Sequence, residues 1–354
     1  MSYYHDDDGI DYGFGCFGYI REIFMNRNRG FERLPPLGTD NLFGPSQPTP
    51  PVFKTITAII SPYHMGICGK EVACGPNSLI QAGLLEALRQ LGLIVYKIVL
   101  EPVDEFEGEI GRSFELHRRT SKAVTRAVES NSFPLILSGN SSSTVGVMSG
   151  ISNSQLYRDT ELPGCLWFDA HDDYNTPDTI LSCYLDAMGI AMLEGEAWKA
   201  LLETIPGFRP LNLKRKLVHC GMRDVTEEQR DRVVHAGFPI VWGSTEEKVN
   251  FKDELQSLLI QKGASPRVAH LDLDCLDTSV GIGNKYAAPG GLSKQDLVGC
   301  MDMVPARSWP LSLTIASYDP SCDVEGKIPP VAVVSVVIFF KSLMRFGVLT
   351  PKAG

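Results

Sequence analysis

Leu166-Trp167-Phe168-Asp169-Ala170-His171-Asp172-Asp173 is the stretch that decides how this chain is read. An apolar run from Cys165 to Phe168 leads straight into Asp169, His171 and Asp173. Alternate residues of a strand share a side. An extended backbone here therefore aims a carboxylate, an imidazole and a second carboxylate at one spot. Buried charge is costly unless it is paired or bound to a metal, so a buried strand gains nothing structurally by ending this way. The pattern is that of a cation site.

Val268-Ala269-His270-Leu271-Asp272-Leu273-Asp274 repeats the design, with Asp272 and Asp274 at period two after an apolar run. The two stretches together offer four carboxylates and an imidazole. Two carboxylates ~4 Å apart repel by about 4 kcal/mol at an effective dielectric of 20, and two divalent ions neutralise all four. The plainer alternative is two solvated acidic clusters at loop edges. It sits poorly with acids that follow directly on strand-like apolar runs.

Asp169-Ala170-His171-Asp172-Asp173-Tyr174-Asn175-Thr176-Pro177 and Asp272-Leu273-Asp274-Cys275-Leu276-Asp277 lie ~100 residues apart. They resemble two signature motifs of the arginase/agmatinase (ureohydrolase) family, and the similarity runs from about Thr55 to the C-terminus. The resemblance implies a three-layer α/β fold, a mainly parallel sheet with helices on both faces. It also implies a two-manganese site that hydrolyses guanidino compounds to urea and an amine. Asp169, His171, Asp173, Asp272 and Asp274 are the expected Mn2+ ligands, and a trimer or hexamer is the expected assembly.

Composition bounds the rest. The 354 residues are 44% hydrophobic and 21% charged, which suits one large or two smaller α/β domains. A net charge of −9 argues against nucleic acid or an anionic membrane as partner; the resemblance implies a small-molecule substrate. Nine scattered cysteines without C-x-x-C pairs give neither a disulfide framework nor a zinc–cysteine site. Asp6-Asp7-Asp8 and the absence of a basic-then-apolar start show no signal peptide, so a cytoplasmic protein is expected. The longest apolar run, Val331 to Phe340, is too short to cross a bilayer.

Residues 1–54 read as an extension to the ureohydrolase-like domain of residues 55–354. They are rich in Tyr, Gly and Asp at first and in Pro later, with little periodic burial and much turn propensity. Thr55 to Ile60 is the first expected strand. One helix is expected across Leu79 to Leu91, ending near Gly92, then a strand over Leu93 to Leu100 and a helix from about Ser113 to Ser130. Alternating strands and helices mark a parallel sheet covered on both faces. Ligands of such folds sit at the carboxyl ends of the strands. Val331 to Phe346 reads locally as strand from its β-branched content, whereas the resemblance makes it the terminal helix. His64, in the loop after the first strand, is within reach of a site there, although a lone loop histidine is more often structural.

Five site positions depart from the family pattern. Ser138-Gly139-Asn140-Ser141-Ser142 stands where the family has Gly-Gly-Asp-His-Ser, so Ser141 replaces a metal-binding histidine, and a hydroxyl is the poorer ligand. Asp186 replaces a proton-shuttling histidine; it can act as acid or base, or simply cap a helix from Ala187 to Leu193. Thr226 and Gln229 stand where acids hold the substrate amino group in arginases. Ser317 replaces the glutamate that binds the guanidinium, which removes a charge-assisted bidentate contact. Asn175 and Ser182 keep the spacing of substrate contacts.

The leading expectation is metal-dependent hydrolysis of a C–N bond in a modified guanidine rather than free arginine. Asp274 or Asp272 would orient the attacking water and Asp186 would handle the proton. Two rivals stand beside it: a one-metal enzyme of isomerisation, dehydration or cyclisation, and a metal-poor binding protein.

Overall fold

The computed structural model describes residues 51–104 and 106–350. Nearly all of the extension read at residues 1–54 lies outside them. Eight strands form one sheet: β1 (Thr55–Ser61), β2 (Val95–Val99), β3 (Ser132–Ser138), β4 (Gly164–Phe168), β5 (Leu217–Met222), β6 (Ile240–Trp242), β7 (Pro266–Asp272) and β8 (Trp309–Ala316). Every pairing is parallel, in the order β2-β1-β3-β8-β7-β4-β5-β6. Parallel strands need crossovers, and helices supply them, so both faces of the central strands are buried.

Strand alternation sorts the core into two clusters, one on each face. Leu166 and Phe168 of β4 join one with the helices Leu84–Gln90, Lys294–Arg307 and Ile328–Arg345. Cys165 and Trp167 join the other with the helices Glu109–Glu129, Ser143–Asn153 and Gly189–Glu194. His117, fully buried on the helix Glu109–Glu129, has both ring nitrogens without a partner, and burial pushes its pKa down to about 3.

One local expectation shifts, and the terminal helix that the resemblance implies is present. The single helix read across Leu79 to Leu91 is two, Gly75–Gln81 and Leu84–Gln90, because Gly83 between them adopts a left-handed φ of 89°. The segment near the C-terminus is helical over Ile328–Arg345 despite its β-branched residues. Tertiary burial outweighs a propensity difference of a few tenths of a kcal/mol per residue. That helix is long and apolar enough to cross a membrane by length and composition, but 72% of it is buried inside the domain. All eight described cysteines are free.

The four innermost strands, β3, β8, β7 and β4, are contiguous. The segments leaving their carboxyl ends carry Ser141, Ser317, Asp272 and Asp169 respectively.

Candidate metal centre

Asp169 directly follows β4 and Asp272 ends β7, and both carboxylates are buried. Trp167 Nε1 donates to Asp169 Oδ2 at 3.0 Å, and the His171 amide donates to Asp169 Oδ1 at 2.8 Å. The His171 ring turns back across the site, with Nδ1 3.3 Å from both Asp169 Oδ1 and Asp274 Oδ2. Its Nε2 lies 3.4 Å from Asp224 Oδ2 at the rim. Asp274 accepts from the Ala170 amide at 3.2 Å and from Asn284 Nδ2 at 3.0 Å.

The strand alternation read through Asp173 stops earlier than expected. β4 ends at Phe168, and Asp173 sits at a left-handed φ of 43°. Its carboxylate lines the same cavity but belongs to neither of the two close donor groups among the described residues, Asp169–His171–Asp274 and Asp169–His270–Asp272.

Electrostatics show what these side chains lack. Burial, and then the neighbouring Asp274, push Asp169 up to about 6. Burial raises Asp272 too, with Asp274 and Asp169 adding to it, and Asp173 rises for the same two reasons, its neighbours being Asp169, Asp186 and Asp272. Asp274 moves the other way. Burial alone would raise it, but His171 beside it holds it well below the usual range. One imidazole against four buried carboxylates leaves negative charge uncompensated, and a divalent cation with oxygen and nitrogen donors fits that deficit.

The facing wall is neutral. Ser141 Oγ donates to Asp272 Oδ2 at 2.6 Å and lies 2.8 Å from Ser317 Oγ. Ser317 has a left-handed φ of 62°, and its amide donates to the Gly139 carbonyl at 3.1 Å. A side chain at Gly139 would collide with the loop after β1, since a Cβ there would lie 2.2 Å from the Tyr63 carbonyl oxygen.

Asp186 lies in the cavity wall, with Oδ2 accepting from Asn140 Nδ2 at 2.7 Å and the Ser141 amide at 3.2 Å. Its Oδ1 accepts from the Ser142 amide at 2.8 Å. It thus caps the helix Ser143–Asn153 across the site. It does not cap its own following helix, Gly189–Glu194, which starts without a side-chain cap. No local pattern could have revealed that long-range cap.

The cavity holds about 660 Å³. Asn175 and Ser182 line it, as do His64 and Asp224. Thr226 and Gln229 also line it, but they form a reciprocal capping box on the helix Glu227–Ala236, and Gln229 Nε2 reaches Asp172 Oδ1 at 3.1 Å. Sequence reasoning missed Asn284, which bridges Asp274 and the Ser317 carbonyl, and the aromatic pair Tyr184 and Tyr286, whose rings are 6.0 Å apart. Lys285-Tyr286 preceding Ala287-Ala288-Pro289 was the available signal for the second of these rings.

These features are those of the metal-dependent amidino hydrolases. Residues 57–340 match the model of the Arginase family, and the chain belongs to that family. Arginase of Staphylococcus aureus (strain MSSA476) is 28% identical over 302 residues, 81% of this chain and 97% of the relative. The native structure of arginase from Bacillus caldovelox superposes with a TM-score of 0.70 at 25% identity, over 81% of this chain and 98% of that one. Proclavaminate amidino hydrolase from Streptomyces clavuligerus shares the fold, with a TM-score of 0.63 at 16% identity over 84% of this chain and 96% of that one.

Proposed function

We propose that this chain hydrolyses a C–N bond of a modified guanidine rather than of free arginine. One observation carries the reading: an acidic floor of Asp169, Asp272 and Asp274 with His171 faces the uncharged Ser141–Ser317 hydroxyl pair. The floor suits the family's metal chemistry. The hydroxyl pair itself carries no charge to grip a bare guanidinium.

Mn2+ is the cation the family resemblance suggests, with Asp169, His171, Asp272 and Asp274 as its holders and Asp173 beside them. Bound there, it supplies Lewis acidity and lowers the pKa of a water. The chain's own residues do the remainder. Asp274, which accepts a hydrogen bond from Asn284, would orient the attacking water. Asp186 is the candidate for moving the proton toward the leaving amine. Asn175 and Ser182 would face the far end of the substrate, and the Tyr184–Tyr286 pair, its rings tilted by 38°, offers aromatic surface to a substituent. Thr226 and Gln229 are engaged with each other, which leaves them poorly disposed toward an α-amino group.

Assembly as a homo-oligomer in the cytoplasm belongs to the same proposal. The exposed side chains of Tyr96, Ile98 and Val99 along the edge strand β2 support a contact between copies.

Urea release from a panel of guanidines, assayed with added Mn2+, tests the reading. A substituted guanidine should be turned over at least about 100-fold more efficiently than arginine, as expected for a missing polar contact. Arginine as the best substrate overturns it.

A further inference from the structure

Histidine is missing where the family resemblance calls for one, at Ser141, yet another imidazole lies against the same carboxylate. His270 stands two residues before Asp272 on β7, so the two side chains share one face of the sheet. Across the neighbouring strand pair, His270 lies opposite Trp167, and Trp167 is likewise two residues before Asp169. The His270 ring stacks on the Trp167 indole with centroids 3.9 Å apart and is fully buried. His270, Asp169 and Asp272 each offer a donor atom, all within 4.8 Å of one another.

The ring's two nitrogens differ. Nδ1 is 2.9 Å from Thr144 Oγ1, whereas Nε2 is buried and has no partner. If Nδ1 carries the proton and donates to Thr144, Nε2 presents a bare lone pair. In the other tautomer Nε2 is a buried N–H with no acceptor, at a cost of about 1–3 kcal/mol. A metal-binding imidazole has the first arrangement, with one nitrogen on the ion and the other held by an outer hydrogen bond that fixes the ring. His117 and His219 also bury unpartnered nitrogens, but neither joins such a group with two carboxylates.

We propose that His270 Nε2 is a metal ligand which, with Asp169 and Asp272, forms a second cation position one strand step deeper in the sheet than the Asp169–His171–Asp274 group. The imidazole absent at residue 141 is thereby supplied from β7. Ser141 keeps a different task, holding Asp272 Oδ2 from the opposite side through its hydroxyl. This rests on the metal-dependent reading above.

The test uses the full chain loaded with Mn2+, with bound metal measured by elemental analysis and imidazole coordination by nitrogen modulation of the Mn2+ electron spin echo. Wild type should bind Mn2+ and show imidazole modulation. His171→Ala should keep such modulation from His270, and the double variant His171→Ala with His270→Gln should lose it. Loss of an outer hydrogen-bond partner costs metal affinity about 10–100-fold, so His270→Gln should weaken one ion by at least about 100-fold. Thr144→Val leaves the ring in place and should weaken the same ion about 10–100-fold, which keeps the test alive if His270→Gln fails to fold. Unchanged Mn2+ affinity and modulation in folded His270→Gln overturn the proposal while the metal-dependent reading stands. Wild type that binds no divalent ion overturns both.

Discussion

The two sides of the cavity were built by opposite means. On one, Asp169, Asp272 and Asp274 are buried and crowded around His171, and burial and mutual repulsion hold Asp169 and Asp272 above the usual carboxylate range. On the other, Ser141 and Ser317 share a hydrogen bond between hydroxyls, and the Asp186 side chain is turned onto the backbone of a helix start. The charged side buries carboxylates whose oxygens all accept hydrogen bonds but whose charge is not compensated, whereas the neutral side carries hydroxyls that bond to one another. Chemistry is thus concentrated on one side, and the other shapes what may approach.

The sharpest way to break this contrast is Asp272→Ala. Asp272 belongs to the charged side and is also the anchor of the Ser141 hydroxyl, so its loss should lower bound metal by at least one ion and abolish turnover in protein that still folds. Elemental analysis and a urea assay on the same preparation check it; undiminished metal would take Asp272 out of the site.

Asp186→Asn probes the neutral side. Turnover should fall by about 10²–10⁴, the usual range for a general acid–base group, with metal content unchanged. The amide also places an NH2 group toward N–H donors, so stability should drop by about 1 kcal/mol, as for a lost helix cap. Urea denaturation and steady-state kinetics separate the two effects. Lost stability with full turnover would leave Asp186 as a cap alone.

A histidine remote from both sides calibrates what burial alone does. His117 has its pKa pushed down to about 3 by burial, and the unfolded chain titrates near 6.5. The unfolded state binds the extra proton between those values, so the stabilisation is whole above pH 6.5 and is lost as pH falls toward 3. That amounts to about 2 kcal/mol between pH 6.5 and 5. Urea midpoints at both pH values should diverge less for His117→Leu than for wild type.

The smallest effect falls at the rim. Thr226→Ala removes the cap of the helix Glu227–Ala236 and should cost about 1 kcal/mol. Metal content should not change, and calorimetry with metal analysis checks both.

Much of this was legible from the chain. Asp169, His171, Asp272 and Asp274 could be found because they come directly at the end of apolar strand runs, although only Asp272 still lies within its strand. The sheet and its helices followed from strands alternating with helices. Other features were hidden for definite reasons. Gly83 split a helix whose apolar spacing ran on unbroken. Asp173 left the strand period through a left-handed turn. Asp186 and Asn284 work through partners 44–46 and 33 residues away, contacts that no local pattern encodes.

The strand order has one more consequence, for how the molecule comes into being. β8 lies between β3 and β7, yet it is the last strand in the chain. Until residues 309–316 are inserted, three strands and four strands have no common edge, and Ser141 cannot face Asp272. Such late, long-range pairing is slow and leaves open strand edges exposed meanwhile. On the ribosome, the cleft therefore forms late, and a chain cut short before β8 carries Asp169, Asp173, Asp186, Asp272 and Asp274 without the site itself.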